Sequence, residues 1–592
     1  MSIVDDLKRE LAAARSERQG YENDWRDYVD YTAPDLDRAF NSVAGVQVSG
    51  MAAWKRSAAR ERSRRLYDGT AVWLLDRLVS GIESLTMPKG FNWHGIGFDD
   101  PFAAEPTPEE QEYFELLRDH LFRIRYSDKS GFALANRSSL VSTVKLGTGV
   151  LFPAENEEQL ASIRTPVFYR YVPLHEVYLI VDAQGNDCGF FRVRSLKAWQ
   201  AAKEYDGKLS EKVMADAEDA SRRNNDHVFV HACVRREGGY PGAVDVRRSL
   251  YESIHFEQDS GHICRQGGFF EYPLVVRRWD RDGLSPYGSP PQAKMMGDIK
   301  SLQSLVKDSL VASAQAVRPP LATHKNERPL DLNPGRVNPG LIDEQGRRLY
   351  GAMIDTVNPG AAFGEIDRIR EALRLGLYGD LWQTLLDGNG RTATEATIRA
   401  QEKADMIGPF TTNIQAGHGV LFDREIGILG RRGAFEQGSP LAPPQSVAET
   451  EISVRSTAPI DQMREAGHFE GLASFRQYLN GALQTNPEAA DWLDEDEERK
   501  LAQRSLGLPQ KLLRRPEEVE DIRAQRAQQQ AQQQQLAAGE SLARMAKDGA
   551  PMAKLIAEQG GGSGAGLEEA LAAAQAAGGG APAGGSGGGN VA

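Results

Sequence analysis

The pattern of apolar residues in the middle of the chain predicts two long helices joined by a compact excursion. The first helix begins at Ser289, because serine caps a helix and the prolines that follow suit its first turn, and it ends before Pro319. The second runs from about Ala361 to Leu386. Their apolar positions recur every three or four residues: Ile299, Leu302, Val306, Leu310 and Val317, then Phe363, Ile366, Ile369, Leu373, Leu377, Leu381 and Leu385. Helices of this length suit the wall of an assembly better than a compact catalytic core.

The excursion between the helices, residues 319–359, is rich in turn signals. They are Asn333-Pro334-Gly335, Asn338-Pro339-Gly340, Glu344-Gln345-Gly346 and Asn358-Pro359-Gly360. We predict a small knob of turns with one or two short strands. After the second helix, residues 387–391 form a glycine loop, and Thr392 to Glu395 has the spacing of a capping box. A third helix is therefore predicted, with more helix after Pro409.

Elsewhere the chain alternates between helical and extended patterns. Alternation of apolar and polar residues from Gly149 to Trp279 predicts a mostly antiparallel β region, interrupted by one helix at 195–205. Further helices are predicted at 1–40, 57–85 (split near residues 67–69), 106–127, 133–144, 459–483, 487–506, 508–515 and 517–536. Residues 438–456 are Pro-rich and predicted to be irregular. Residues 560–592, rich in glycine and alanine, are predicted to be disordered.

Several short motifs follow one another between about residues 70 and 435. They are Gly69-Thr70 before LDRLVSGIESLTMPKGFNWHGI, then KLGTGVL at 145–151, YVPLHEVY at 171–178, LSPYG at 284–288, DIKSL at 298–302, Pro319-Pro320 and TATEATIRAQEK at 392–403. In this order they resemble the portal (head-to-tail connector) proteins of tailed bacteriophages, especially those of short-tailed phages. No motif is specific alone; their order carries the resemblance.

The resemblance implies an α+β portal fold, with long stem helices, a mixed wing that contains the mostly antiparallel β region, and a helical C-terminal crown. The implied parts are wing (1–283), first stem helix (284–317), clip (318–360), second stem helix (361–386), channel or tunnel loop (387–391), C-terminal wing (392–440), crown (441–515) and a largely disordered Gln/Ala/Gly-rich tail (516–592).

The implied function is structural. Portal proteins form a ring, here expected to hold twelve subunits, at one capsid vertex of the virion. The ring is the channel for DNA packaging and ejection. The implied partners are double-stranded DNA without sequence preference, the terminase large subunit, the major capsid and scaffolding proteins and the tail adaptor proteins, with no membrane and no cofactor. Assembly is expected in the host cytoplasm, and no residue is expected to do covalent chemistry.

The resemblance also assigns candidate site residues. The DNA-channel candidates are Lys300, Lys307, Gly388, Asn389, Gly390 and Arg391, and the clip candidates for motor docking are Arg336, Arg347 and Arg348. Without the resemblance, the lysines would be a solvated helix face and residues 387–391 an ordinary turn between helices. We also expect Leu302 and Leu377 to lie between neighbouring subunits, because two long helices leave apolar faces that one chain does not fully cover.

Composition and charge limit the alternatives. The net charge of −13 argues against ordinary DNA binding through a basic face, although a mostly acidic wall is compatible with a channel along which DNA must slide. Three scattered cysteines, Cys188, Cys233 and Cys264, indicate a reducing compartment. The amphipathic, charged N-terminus does not have the pattern of a signal peptide. The most apolar segment, 71–85, is too short and too charged for a membrane span.

Three other kinds of site are weighed against this interpretation. A P-loop ATPase needs a GxxxxGK[ST] motif, which this sequence does not contain, so packaging energy must come from a partner. His227, His231 and Cys233 suggest a metal, but on a strand His227 and His231 would stand about 13 Å apart, so strand packing is favoured. The alternative function is a metal-dependent nucleic-acid-processing enzyme in which Glu395, Glu402 and Asp405 hold a divalent ion. Particle size would distinguish it from a ring.

Overall fold

The computed structural model describes most of the chain. The described residues are 2–36, 63–100, 102–156, 166–240, 245–317, 321–323, 342–347, 350–352, 360–379, 393–448, 450–483 and 516–559, with isolated positions between 494 and 514. Two compact units are present, Met1–Gln510 and Lys511–Ala592. The first holds every sheet described below, and the described part of the second is a single helix.

The helices α1 to α12 of the described residues extend from the N-terminal segment to the second compact unit. In chain order they are Ile3–Tyr31, Thr70–Thr86, Pro108–Arg125, Phe132–Leu146, Ala198–Glu204, Glu211–Glu218, Met296–Val317, Gly360–Gly376, Ala393–Arg431, Gln445–Ala448, Pro459–Leu483 and Pro516–Gln559. Capping boxes begin two of them: Ser2 and Asp5 cap α1, and Thr107 and Glu110 cap α3, where Pro108 occupies the first turn. The helix predicted at 106–127 is therefore confirmed, and Thr107 is its N-cap.

The strands form four antiparallel groupings. In chain order, β1 to β12 are His94–Phe98, Thr148–Glu155, Val167–Val172, Val177–Val181, Asp187–Lys197, Asp226–Arg235, Tyr251–Glu257, Ile263–Phe269, Val275–Arg278, Leu321–Thr323, Tyr350–Ala352 and Ile452–Ser456. A three-stranded sheet has the order β3-β2-β9, and a five-stranded sheet has the order β4-β5-β6-β7-β8. β1 pairs with β12, and β10 pairs with β11. The predicted α+β class and the antiparallel β region are confirmed.

The five-stranded sheet has helices against both faces. Val228 and Val230 on β6 pack with Leu7 and Leu11 of α1. Phe229, which points the other way, packs with α5 and α6. The sequence predicted α5 within the helix at 195–205, whereas α6 was not predicted. Its eight residues offer only about two turns of periodicity, which is too little for the pattern to stand out.

The largest core joins distant parts of the chain. It brings α2 and α4 together with the central helices α7, α8 and α9 and with residues of the three-stranded sheet. A buried ion pair crosses it: Arg125 of α3 donates to the carboxylate of Glu425 on α9 at 2.6 and 2.9 Å, and both side chains are 1% exposed. Tyr169 of β3 donates to the same carboxylate, so helices α3 and α9 are fixed to the sheet.

Strand β12 lies inside a segment predicted to be irregular. Its residues pair with β1 from Phe98 opposite Ile452 to His94 opposite Ser456, so the prediction for 438–456 is wrong at these five positions. The strand needs a partner some 350 residues earlier in the chain, and local composition gives no sign of it. Leu441 and Ile460 are buried in the largest core together with Leu429. Residues on both sides of position 440, the expected limit between wing and crown, therefore pack in one core.

Several helix boundaries differ from the prediction: α1 ends at Tyr31 rather than at residue 40, and α7 begins at Met296, after a short 3-10 helix, rather than at Ser289. α8 ends at Gly376, ten residues before the predicted end, because Tyr378 adopts a left-handed backbone conformation (φ 59°) that no helix can continue through. Its ring stands 5.8 Å from that of Phe410, which compensates the strained backbone with an aromatic contact. α9 runs unbroken through Pro409. α12 confirms the helix predicted at 517–536 and extends it to Gln559; residues 560–592 lie outside the described residues.

Candidate assembly and channel site

The two predicted stem helices, α7 and α8, pack against each other along a buried apolar seam. The seam consists of Ile299 and Leu302 from α7 and Ile366, Ile369, Leu373 and Leu377 from α8 and the residues just after it, all at most 8% exposed. Burying a leucine in this way contributes about 1.5–3 kcal/mol. The seam therefore holds the pair together within one chain.

This packing corrects one expectation. Leu302 is 1% exposed and Leu377 is 0% exposed before any second subunit is present. They are not free to contact a neighbour, so their assignment to the space between subunits is wrong. Periodicity shows which residues share a helix face, but it does not show whether the same chain or another one covers that face.

A second set of apolar side chains on α7 and α8 is exposed. Leu310 is 56% and Val311 48% exposed on α7, while Phe363 is 51% and Leu375 61% exposed on α8. Exposed apolar side chains on two paired helices offer surface for a protein–protein contact. We call these four residues the exposed stem set. Leu375 was not singled out from the sequence. Because it follows Leu373 by two residues, it cannot share the apolar face of the helix, and this spacing could have indicated that it is exposed.

The candidate channel lysines lie on α7 and have partners inside the chain. The Nζ atom of Lys300 lies 2.6 Å from a carboxylate oxygen of Asp27 on α1, and this hydrogen bond raises the pKa of Lys300. Lys307 lies 6.0 Å from the ring centre of Tyr67. The Lys300–Asp27 pair is about half-exposed on both sides. Exposed pairs of this kind contribute little to stability, so the lysine can exchange partners at small cost.

Most of the other candidate residues fall outside the described part of the chain. These are Gly388, Asn389, Gly390 and Arg391 of the channel loop and Arg336 and Arg348 of the clip. Arg347 is described: its Nε atom donates to Asp343 at 2.7 Å, and its side chain is 74% exposed. The turn predicted at residues 344–346 is confirmed, since Gly346 has a φ of 78°. A backbone hydrogen bond from Arg347 lowers the pKa of Asp343.

Strands β10 and β11 agree with the one or two short strands predicted for the excursion. They pair from Leu321 opposite Ala352 to Thr323 opposite Tyr350. This pairing brings together two segments that lie near the two ends of the excursion. The excursion is therefore closed by a pair of strands near its two ends.

The histidines and the cysteine that suggested a metal site have other contacts. His231 stacks on His255 of the neighbouring strand with ring centres 3.9 Å apart, and its Nε2 atom lies 2.9 Å from the hydroxyl of Ser253. His227 pairs with Asp216 at 3.1 Å. Cys233 is buried in an apolar cluster. Among the described residues, no three metal-binding side chains come together.

The acidic residues of the alternative enzyme site all lie on α9. Asp405 is exposed, and the side chains of Glu395 and Glu402 fall outside the described residues, as does the predicted capping box. No described geometry brings the three carboxylates to one point.

In the described parts of the chain, no helix is both long and apolar enough to cross a membrane.

The chain matches a known family over most of its length. The family model described as "Bacteriophage head to tail connecting protein" matches residues 4–513. The chain belongs to this family. The match of the family model ends close to the end of the first compact unit at Gln510, so α12 lies beyond the residues that this model matches.

Two relatives agree with this assignment. The chain is 25% identical over 560 residues to the portal protein of Salmonella phage epsilon15, with 91% of this chain and 94% of the relative covered. It is 23% identical over 541 residues to a probable portal protein of Bordetella phage BPP-1, with 88% of this chain and 91% of the relative covered. The resemblance inferred from the order of motifs is thus confirmed: this is a head-to-tail connecting protein of the portal type.

Proposed function

We propose that the chain is the subunit of a portal ring at one vertex of a phage capsid, through which DNA is packaged and later ejected. The observation that carries the proposal is the family match over residues 4–513, supported by two relatives named as portal proteins along nearly their whole length. The exposed stem set adds a physical argument, since it offers apolar surface where a ring subunit must meet its neighbours.

The proposed ring holds twelve subunits, and each subunit uses different surfaces to contact its two neighbours. Closed rings of identical chains require two different complementary surfaces on each subunit, because every copy meets one neighbour on each side. The exposed stem set belongs to one such surface. Covering it removes Leu310, Val311, Phe363 and Leu375 from water, which favours association.

Residues 387–391 are proposed to face the channel and touch DNA without reading sequence. Two glycines around Asn389 allow unusual backbone angles and movement, and Arg391 supplies a charge that attracts phosphate. Lys300 and Lys307 would add weak contacts of the same kind. Each contact is small, but a ring repeats it around the duplex. The overall acidity of the chain keeps DNA from binding too tightly.

The excursion beyond strands β10 and β11 is proposed as the clip. Arg336, Arg347 and Arg348 would dock the terminase large subunit during packaging and tail adaptor proteins afterwards. Arg347 is well placed for this role because it is 74% exposed and its contacts with Asp343 and Gln345 lie within its own turn. Major capsid and scaffolding proteins would contact the outside of the ring during assembly in the host cytoplasm. The role is structural, with no catalytic step and no cofactor.

The mass of the purified particle tests the proposed function directly. Twelve copies of the 65.0 kDa chain make a particle of about 780 kDa. Mass photometry should show this species, and negative-stain images should show rings with a central opening. A single species near 65 kDa at micromolar concentration would contradict the ring and favour the alternative function, a metal-dependent nucleic-acid-processing enzyme.

Deleting Gly388 to Gly390 tests the channel loop. The shortened loop is expected to leave the ring intact, because the stem seam and the exposed stem set are unchanged, but to reduce the DNA content of assembled heads several-fold. DNA per head is measured by quantitative PCR after nuclease treatment. A matched control replaces the same three residues with Ser-Asn-Ser, which keeps loop length. Normal DNA content in heads built from the deletion variant would reduce this loop to a plain connection between helices.

A further inference from the structure

A buried side-chain amide on helix α7 binds the backbone of a segment that is far away in the sequence. The side-chain oxygen of Gln303, on α7, accepts hydrogen bonds from the backbone N–H groups of Tyr67 at 2.8 Å and Asp68 at 3.1 Å. Its amide nitrogen donates to the backbone carbonyl of Asp68 at 2.6 Å. Gln303 is only 8% exposed. The side-chain amide of Gln303 thus both accepts from and donates to the backbone of residues 67–68, just before α2.

The other stem helix reaches the same segment through an ion pair. Arg370 of α8 donates to one carboxylate oxygen of Asp68 at 2.8 and 3.0 Å, and the other carboxylate oxygen accepts from the backbone N–H of Thr70, the first residue of α2. Burial raises the pKa of Asp68, but the hydrogen bonds from Thr70 and Arg370 outweigh it and hold the pKa below its usual value. Both stem helices are therefore tied to the start of α2 at one point.

The apolar contacts and the hydrogen bonds at this junction constrain the stem helices in different ways. The apolar seam contributes stability, but the hydrophobic attraction that drives it is not directional. Hydrogen bonds weaken steeply when their angle changes. Three bonds from one amide, together with the Asp68–Arg370 pair, therefore restrict the tilt and rotation of the α7–α8 pair relative to α2.

We propose that Gln303, Asp68 and Arg370 form a positioning site that fixes the angle between the stem pair and the rest of the subunit, and so determines how many subunits close the ring. The inference rests on the proposed ring. Rings that differ by one subunit differ by only a few degrees in the rotation between neighbours. A subunit whose stem can tilt by that amount fits more than one ring, whereas a fixed junction selects one.

Native mass spectrometry of purified rings tests this role. Wild-type chain is expected to form one ring size. Gln303→Met keeps the length of the side chain but removes its hydrogen bonds, and we expect the fraction of rings with another subunit number to rise roughly tenfold, the effect of losing about one net hydrogen bond. Arg370→Gln removes the ion pair and should broaden the distribution in the same direction.

Gln415→Met is the matched control. Gln415 also joins two elements, since its amide lies 2.9 Å from the hydroxyl of Ser456 and 2.8 Å from Asp461, but it lies outside the stem pair. This variant should lower the melting temperature and keep the wild-type ring size. A broadened distribution in the control would overturn the proposal, because general destabilisation would then explain the effect.

The remaining outcomes are also decisive. If Gln303→Met does not fold, Arg370→Gln decides alone, since Arg370 is 44% exposed and the buried carboxylate of Asp68 keeps its hydrogen bond from the backbone N–H of Thr70. Rings of a single, wild-type size in the folded variants would overturn the positioning role and leave the ring itself established. Absence of rings from the wild-type chain would instead contradict the proposed function.

Discussion

Replacing Leu310 with aspartate is expected to leave a folded chain that no longer forms rings. Leu310 is 56% exposed, so the new carboxylate can stay in water in the single subunit. In a ring the same carboxylate would lie in an apolar contact, where burying an unpaired charge costs several kcal/mol per interface. Combined with Phe363→Asp, the variant should reduce the ring fraction in mass photometry more than roughly tenfold. The helical signal in circular dichroism should be unchanged.

Two other substitutions make the result interpretable. Leu116→Asp on α3 places the same charge at a leucine of similar exposure, 45%, away from the stem pair, and rings should persist. Leu302→Asp places it in the buried seam and should unfold much of the subunit, with a stability loss of roughly 4 kcal/mol or more. Intact rings from the Leu310→Asp and Phe363→Asp double variant would show that the exposed stem set does not lie between subunits.

Acidification is expected to destabilise the folded chain well before most carboxylates take up protons. Burial lowers the pKa of four described histidines, His94, His231, His255 and His418. For His255 the pKa falls to about 3. Nearby cations act in the same direction: Arg277 and Arg125 face His418, and Arg194 and Arg265 face His255. These side chains remain neutral in the folded chain at a pH where an unfolded chain would already be protonated.

The sign of the pH effect follows from these lowered pKa values. Below about pH 6.5 the unfolded chain binds protons that the folded chain does not, so the free energy of unfolding decreases as the pH falls. Each of the four histidines acts in this direction, so their effects on the free energy of unfolding reinforce one another. Because domains are stable by only about 5–15 kcal/mol, the denaturant midpoint should fall sharply between about pH 6.5 and pH 5.

His418→Phe tests the source of this slope. Both ring nitrogens of His418 are buried without a hydrogen-bond partner among the described residues, and its ring centre lies 4.5 Å from that of Trp93, so phenylalanine should fit the site. The variant should gain stability at about pH 5 relative to wild type and show a shallower dependence of the urea midpoint on pH. His262→Phe, at an exposed position, is the control for losing a histidine. An unchanged slope in His418→Phe would show that carboxylates cause the acid sensitivity.

Local pattern was a good guide wherever an element could be recognised from its own residues. The start of the helix predicted at 106–127 and the stop after Val317 are set by neighbours within a few positions. The alternating apolar residues of 149–279 form the predicted antiparallel strands for the same reason. The family could also be recognised from the order of the motifs, and the family match over residues 4–513 confirms it.

The errors share one physical cause. Strand β12, the left-handed Tyr378 that ends α8, and the burial of Leu302 within a single chain all depend on contacts between residues far apart in the sequence. The same is true of Gln303, an ordinary polar position on a helix until the fold brings Asp68 against it. Local propensity differs by less than about 1 kcal/mol between most residues, so contacts of this kind readily override it.

The sequence by itself determined the element types, the antiparallel β region, the helix–excursion–helix order and the family. Tertiary structure decided which apolar residues of α7 and α8 are buried inside the subunit and which stay exposed, because periodicity marks a helix face without showing what covers it. It also decided the junction of Gln303, Asp68 and Arg370. Hydrogen bonds between distant residues depend on relative position and angle, and only the packed chain sets these.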